Sequence, residues 1–121
     1  MNILYDLFIS LIEEECGKEY WTEHLVGTFK TKEEAITVMK EAMSEGRPFS
    51  KPECESRIQE VELIGEIIDG NSVYRFFGYN QEGDMIKSPY YTEKATAIQA
   101  FLREKKNTPG RGWCLNTYKL G

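Results

Sequence analysis

Apolar side chains occupy every odd position from Ile3 to Leu11, with Asp6 and Ser10 between them. That period of two predicts a strand over residues 3–12 with one buried side. The polar run Glu13 to Glu19 contains Gly17 and leads to Tyr20–Phe29, where Trp21, Leu25 and Phe29 share one parity and His24 the other. A short glycine-containing connection between two such runs predicts a hairpin, with Trp21, Leu25 and Phe29 inward and His24 outward.

Thr31-Lys32-Glu33-Glu34 has the form of a capping box, in which the Thr hydroxyl and the Glu carboxylate satisfy amides at a helix start. The helix it opens carries Ala35, Val38, Met39, Ala42 and Met43, with Ile36, on one stripe, and Gly46 and Pro48 stop it. Residues 45–57 are polar and interrupted by prolines, so they read as a surface loop. Alternation resumes over 58–68, with Val61, Leu63 and Ile67 on one face and Glu60, Glu62 and Glu66 on the other. Turns at Asp69-Gly70-Asn71 and Gln81-Glu82-Gly83 separate it from strands over 72–80 and 84–88. Thr92 is the expected cap of a second helix ending near Lys106, with Ala95, Ile98 and Leu102 inward and Phe101 beside them. Gly112–Leu120 closes the chain as a strand, after a turn at Gly110-Arg111-Gly112.

The expected fold is α+β: an antiparallel sheet with two amphipathic helices in the order ββα-βββα-β. It forms one domain over 1–121, with the loop 45–57 between two ββα-like halves. The recurrence of a strand run followed by a Thr-capped helix suggests an internal structural duplication, although the aligned residues agree poorly.

Composition supports an ordered chain. The 121 residues are 40% hydrophobic, and folding at this length buries roughly two-thirds of the extended surface. No apolar run approaches the ~20 residues of a membrane-spanning helix, and the first residues lack the basic region of a signal peptide. The expected location is the cytoplasm, with no membrane partner. Cys16, Cys54 and Cys114 are an odd set at wide spacings, which fits reduced thiols.

Charge changes the picture more than composition does. The net charge is −5, but residues 1–93 carry 19 acids and 9 bases, whereas residues 94–121 carry 1 acid and 6 bases. A basic end on an acidic body can orient a charged partner or a second copy of the chain.

Candidate chemistry is sparse. His24 is the chain's one histidine, the residue type most used for proton transfer, yet none of the three cysteines lies in a local nucleophile signature. Cys/His catalysis is therefore only a secondary reading, and no catalytic residue is assigned. The cysteines and His24 lack the close pairs that structural zinc sites draw on, and no glycine-rich phosphate loop is present, so neither metal nor cofactor is expected. Glu13, Glu14 and Glu15 read as a solvated run, and the strand-borne Glu60, Glu62 and Glu66 as surface charge.

Two aromatic groups remain: Tyr74, Arg75, Phe76 and Tyr79, and Tyr90 with Tyr91. Alternation puts some of these rings outside the main core, where either the second helix covers them or they form an exposed patch. An exposed aromatic patch with an arginine is typical of protein-binding surfaces and dimer contacts, so the first reading is a small noncatalytic protein-binding or regulatory domain. The alternative is nucleic-acid binding through Arg103, Lys105, Lys106 and Arg111 interleaved with Trp113. The acidic body opposes approach to a polyanion.

Overall fold

The computed structural model describes residues 2–47, 49, 51, 53–66 and 72–121. Among them are seven strands and two helices, and the chain is α+β and mostly sheet: β1 Asn2–Glu15, β2 Lys18–Phe29, α1 Lys32–Ala42, β3 Glu55–Ile64, β4 Ser72–Asn80, β5 Met85–Lys87, β6 Tyr90–Tyr91, α2 Lys94–Asn107 and β7 Gly110–Lys119. The chain divides into two compact units. One is Leu4–Glu60 with Gly121, and the other is Val61–Leu120 with Met1–Ile3.

In the first unit the strand order is β2-β1-β3. The β1–β2 hairpin turns through Cys16 and Gly17, both at positive φ, 54° and 77°. This is the two-residue geometry whose twist matches that of its flanking strands. Glu15 pairs with Lys18, so the acidic run read as a turn is strand. Glutamate disfavours strands only weakly, and cross-strand pairing carries the ladder through it.

Farther along, Leu7 pairs with Gly27 but Phe8 pairs with Leu25, which leaves Val26 as a bulge. A residue inserted into one strand reverses the facing of everything beyond it. Phe29 therefore lies in the core with Leu7, Ile9, Ala35 and Cys54, whereas Trp21 and Leu25 face the other way. Their expected inward placement is corrected, and His24 lies on the Ile9 side.

Thr31 caps α1 as expected, its hydroxyl accepting from the Glu34 amide at 3.2 Å. Val38, Met39, Ala42 and Met43 pack against the core cluster beneath the helix. The helix ends with Met43 as its C-cap, and Gly46 follows at φ 83°; the expected stop at Pro48 falls outside the described residues. β1 is buried on both faces near its start, since Leu4 and Asp6 are as inaccessible as Leu7 and Ile9. Asp6 accepts from the Thr28 hydroxyl at 2.8 Å, which satisfies a polar pair in a place where an unmade bond is costly.

In the second unit the order is β3-β6-β4-β5, with β7 also pairing with β4. β3 and β6 run parallel, Leu63 opposite Tyr90, so the sheet is mixed and not solely antiparallel. The extra strand makes the order ββα-ββββα-β. β6 has only two residues and follows Pro89, too short a run for alternation to reveal. The expected strand over 58–68 begins earlier and ends at Ile64; Ile67, Ile68 and the Asp69-Gly70-Asn71 turn fall outside the described residues.

Thr92 does not cap α2. Its amide and hydroxyl both donate to the Ile64 carbonyl, at 3.1 and 3.4 Å, and Glu93 is the N-cap residue, with no side-chain cap bond. The helix is also rotated from expectation. Ala97, Ala100 and Phe101 face the Phe76–Tyr91 cluster, leaving Ile98 and Leu102 outward. Small alanines let the helix approach the bulky rings of the sheet closely, which branched Ile98 or Leu102 would prevent.

Gly110-Arg111-Gly112 is the start of β7 and not a turn: Gly110 pairs with Asn80 and Arg111 with Tyr79. The register shift that follows, with Gly112 at φ 68°, is a bulge that lays Trp113 across Gly78.

Candidate binding surface

The aromatic residues singled out from the sequence are mostly interior. Phe76, Tyr90 and Tyr91 are buried. Phe76 stacks with Tyr91 at 6.4 Å between ring centroids, and Phe101 of α2 tilts onto Phe76 at 5.5 Å. Arg75 is buried as well: its Nε donates to the Ser88 carbonyl at 2.7 Å, and its guanidinium lies 4.9 Å from the centroid of Tyr90. Tyr90 meets Tyr118 edge-on at 5.5 Å. Tyr74 and Tyr79 are half-buried, Tyr74 within the α2-covered cluster and Tyr79 over Gly112. Of the two arrangements left open by the sequence, coverage holds for Arg75, Phe76, Tyr90 and Tyr91, while Tyr74 and Tyr79 keep part of their surface in water.

The cations of the nucleic-acid reading, Arg103, Lys105, Lys106 and Arg111, are exposed. Their proposed stacking ring is not available beside them. Trp113 lies flat on Gly78 within the α2 cluster, and its buried indole N–H has no hydrogen-bond partner among the described residues. Lys105 sits 5.9 Å from the centroid of Phe101.

His24 and the cysteines are placed separately. The Nε2 of His24 lies 3.2 Å from Glu13 Oε1, and the ring tilts against Phe49 at 6.2 Å. Thr22 donates to the other oxygen of Glu13 at 3.2 Å. Cys16 is exposed in the hairpin turn, Cys54 is in the core under α1, and Cys114 pairs with Phe77 on β7. Among the described residues no three His, Cys, Asp or Glu groups assemble as a metal site. Nor is any described helix long and apolar enough to cross a membrane.

Exposed aromatic surface lies instead on the β1–β2 hairpin, on residues outside the expected set. Trp21 is 56% exposed and Leu25 39%. Register places Trp21 opposite the half-buried Ile12, and Leu25 opposite Phe8. One face of the hairpin therefore presents the pair Ile12 and Trp21 and, farther on, Leu25, with Ser10 and Glu23 paired between them. Two carboxylates border it on one side, since Glu14 and Glu19 stand directly opposite each other.

Between Trp21 and Leu25, Glu23 is held by Arg57, through Nη2 at 2.7 Å and Nε at 3.3 Å, and the same guanidinium lies 4.3 Å from the centroid of Phe8. Tyr20 points to the opposite face, 42% exposed, its hydroxyl 3.3 Å from Glu15. Desolvation and then the charge of Glu13 push its phenol up from its ordinary pKa.

Comparison with protein-family models, curated proteins and solved structures finds no match. Function must be argued from this geometry.

The sequence did contain a signal for the surface. Tyr20 and Trp21 are adjacent in a strand, so alternation must put one ring on each face, and this hairpin has one helix to cover one of those faces. What parity could not supply was the facing of Trp21, which the bulge at Val26 decides.

Proposed function

We propose that the chain is a noncatalytic binding domain that captures a partner protein on the outer face of the β1–β2 hairpin. The observation that carries this reading is the exposure of Trp21, beside Ile12 and with Leu25 farther along the same face. A tryptophan left more than half in water, next to Ile12, gives up free energy that docking would recover. Tryptophan is also the residue type most enriched where binding energy concentrates.

The position on the strand order adds to this. β2 stands at the end of that order, so a partner can reach the face from its open side. Glu14 and Glu19 flank Trp21 on the turn side, which favours a basic partner and disfavours polyanions.

The test uses immobilised full-length chain and a lysate of the cells that make it. Wild type should retain a protein that the Trp21→Ser, Leu25→Ser double variant loses, with the variant's dichroism and melting temperature nearly unchanged. Equal retention by both proteins would refute the proposal.

A further inference from the structure

A second exposed apolar surface lies on α2. Ile98 and Leu102, one turn apart, are 37% and 58% exposed, on the side of the helix turned from Ala97. Lys105 and Lys106 follow one turn later on the same side. The helix holds four bases and one acid, and that acid, Glu104, accepts from the Thr108 hydroxyl at 3.1 Å. The hairpin offers the opposite combination, Trp21 and Ile12 beside Glu14 and Glu19. Each surface lacks what the other carries.

We infer that the partner of the hairpin face is a second copy of this chain, docked through the outer face of its α2. The inference rests on the hairpin being a binding face and names its occupant. Trp21 covers Ile98 and Leu102, removing apolar area from water on both sides. Lys105 and Lys106 meet Glu14 and Glu19. Those two carboxylates face each other in the free chain, an arrangement that destabilises a ladder, and an ammonium group between them relieves the repulsion. The contact joins unlike surfaces, so each copy has one hairpin and one helix to offer. Assemblies close where the rotation permits and otherwise grow.

Sedimentation velocity tests this on the full chain, loaded from about 10 μM to about 1 mM, the range in which a small contact of this kind populates. Wild type should rise above 14.0 kDa with concentration. The rise should shrink as salt goes from ~0.1 M to ~1 M, which shortens the screening length from about 10 to about 3 Å.

Trp21→Ser and Leu102→Glu should each remain at the mass of one chain. Mixed in equal amounts they should form a species of twice that mass, because one supplies an intact helix and the other an intact hairpin. Leu25→Ser and the Lys105→Glu, Lys106→Glu double variant repeat the pairing should either first variant misfold. Wild type staying at one chain mass, a mixture that does not associate while wild type does, or a single variant that associates like wild type would each overturn the inference. A monomeric chain that still captures another protein through Trp21 would remove the second copy and leave the binding face. A Trp21→Ser variant matching wild type in both assays would remove both.

Discussion

Trp21 and Phe29 have the same parity in β2 yet lie on opposite faces of it, because Val26 is inserted between their registers. Phe29 is buried under α1 and Trp21 is more than half exposed. The bulge thus divides one strand into a part that builds the core and a part that presents a ring to water. Bulges commonly re-aim side chains at functional positions, and here the re-aimed residue is the one on which the functional reading rests.

The hairpin turn is under strain at one residue. Cys16 adopts a positive φ of 54°, beside Gly17 at 77°, and the left-handed region costs an ordinary side chain roughly 1–2 kcal/mol. Asn-Gly is the preferred pair for this turn, so Cys16→Asn should stabilise the protein by about 0.5–1 kcal/mol. A higher urea midpoint with an unchanged m-value would show it. A lower midpoint would mean that the turn is not of this kind.

Gly78 is required for close approach. A methyl group there would overlap the Cδ2 of Trp113, whose six-membered ring lies against the backbone. Gly78→Ala should therefore destabilise by about 1–3 kcal/mol, the usual cost of overpacking a filled site. Denaturant unfolding measures this directly. A neutral result would show that Trp113 can move aside.

How much of this was legible depended on how local the signal was. The Thr31 cap and the helix after it were readable because the cap bond and the apolar stripe involve residues a few positions apart. The β1–β2 hairpin was readable for the same reason. The facing of Trp21 was not, since parity carried through Val26 silently assumes an unbroken ladder. The burial of Phe76 and Tyr91 depends on α2 lying over them, and that of Tyr90 on β6 pairing with β3 and on Arg75 and Tyr118 packing against it, all long-range packing choices. Thr92 resembles a cap in sequence, but its hydrogen bonds go to Ile64, which is distant in sequence. The outward stripe of Ile98 and Leu102 was misread because the two isoleucine- and leucine-bearing positions are more apolar than the alanines that face the sheet.

Tyr91 ties stability to high pH. Burial is the main cause that raises its phenol; the charges of Glu62 and Glu104 raise it further, and Arg103 partly opposes them. The folded chain thus keeps the proton where the unfolded chain, titrating near 10, releases it. The stability this represents is present below pH ~10 and is lost as pH rises through the folded value. Tyr91→Phe should flatten the alkaline decline in melting temperature. A decline identical to that of wild type would show that other groups govern it.

The proposed binding face is the hairpin, not the meander aromatics. Amide hydrogen exchange with and without the bound partner, whether a second copy or another protein, tests it most directly. Added protection is expected in residues 10–25, joined by residues 98–106 when the partner is a second copy, with Ser72–Asn80 and Tyr90–Tyr91 unchanged. Protection that appears in those segments while the hairpin exchanges as before would contradict it.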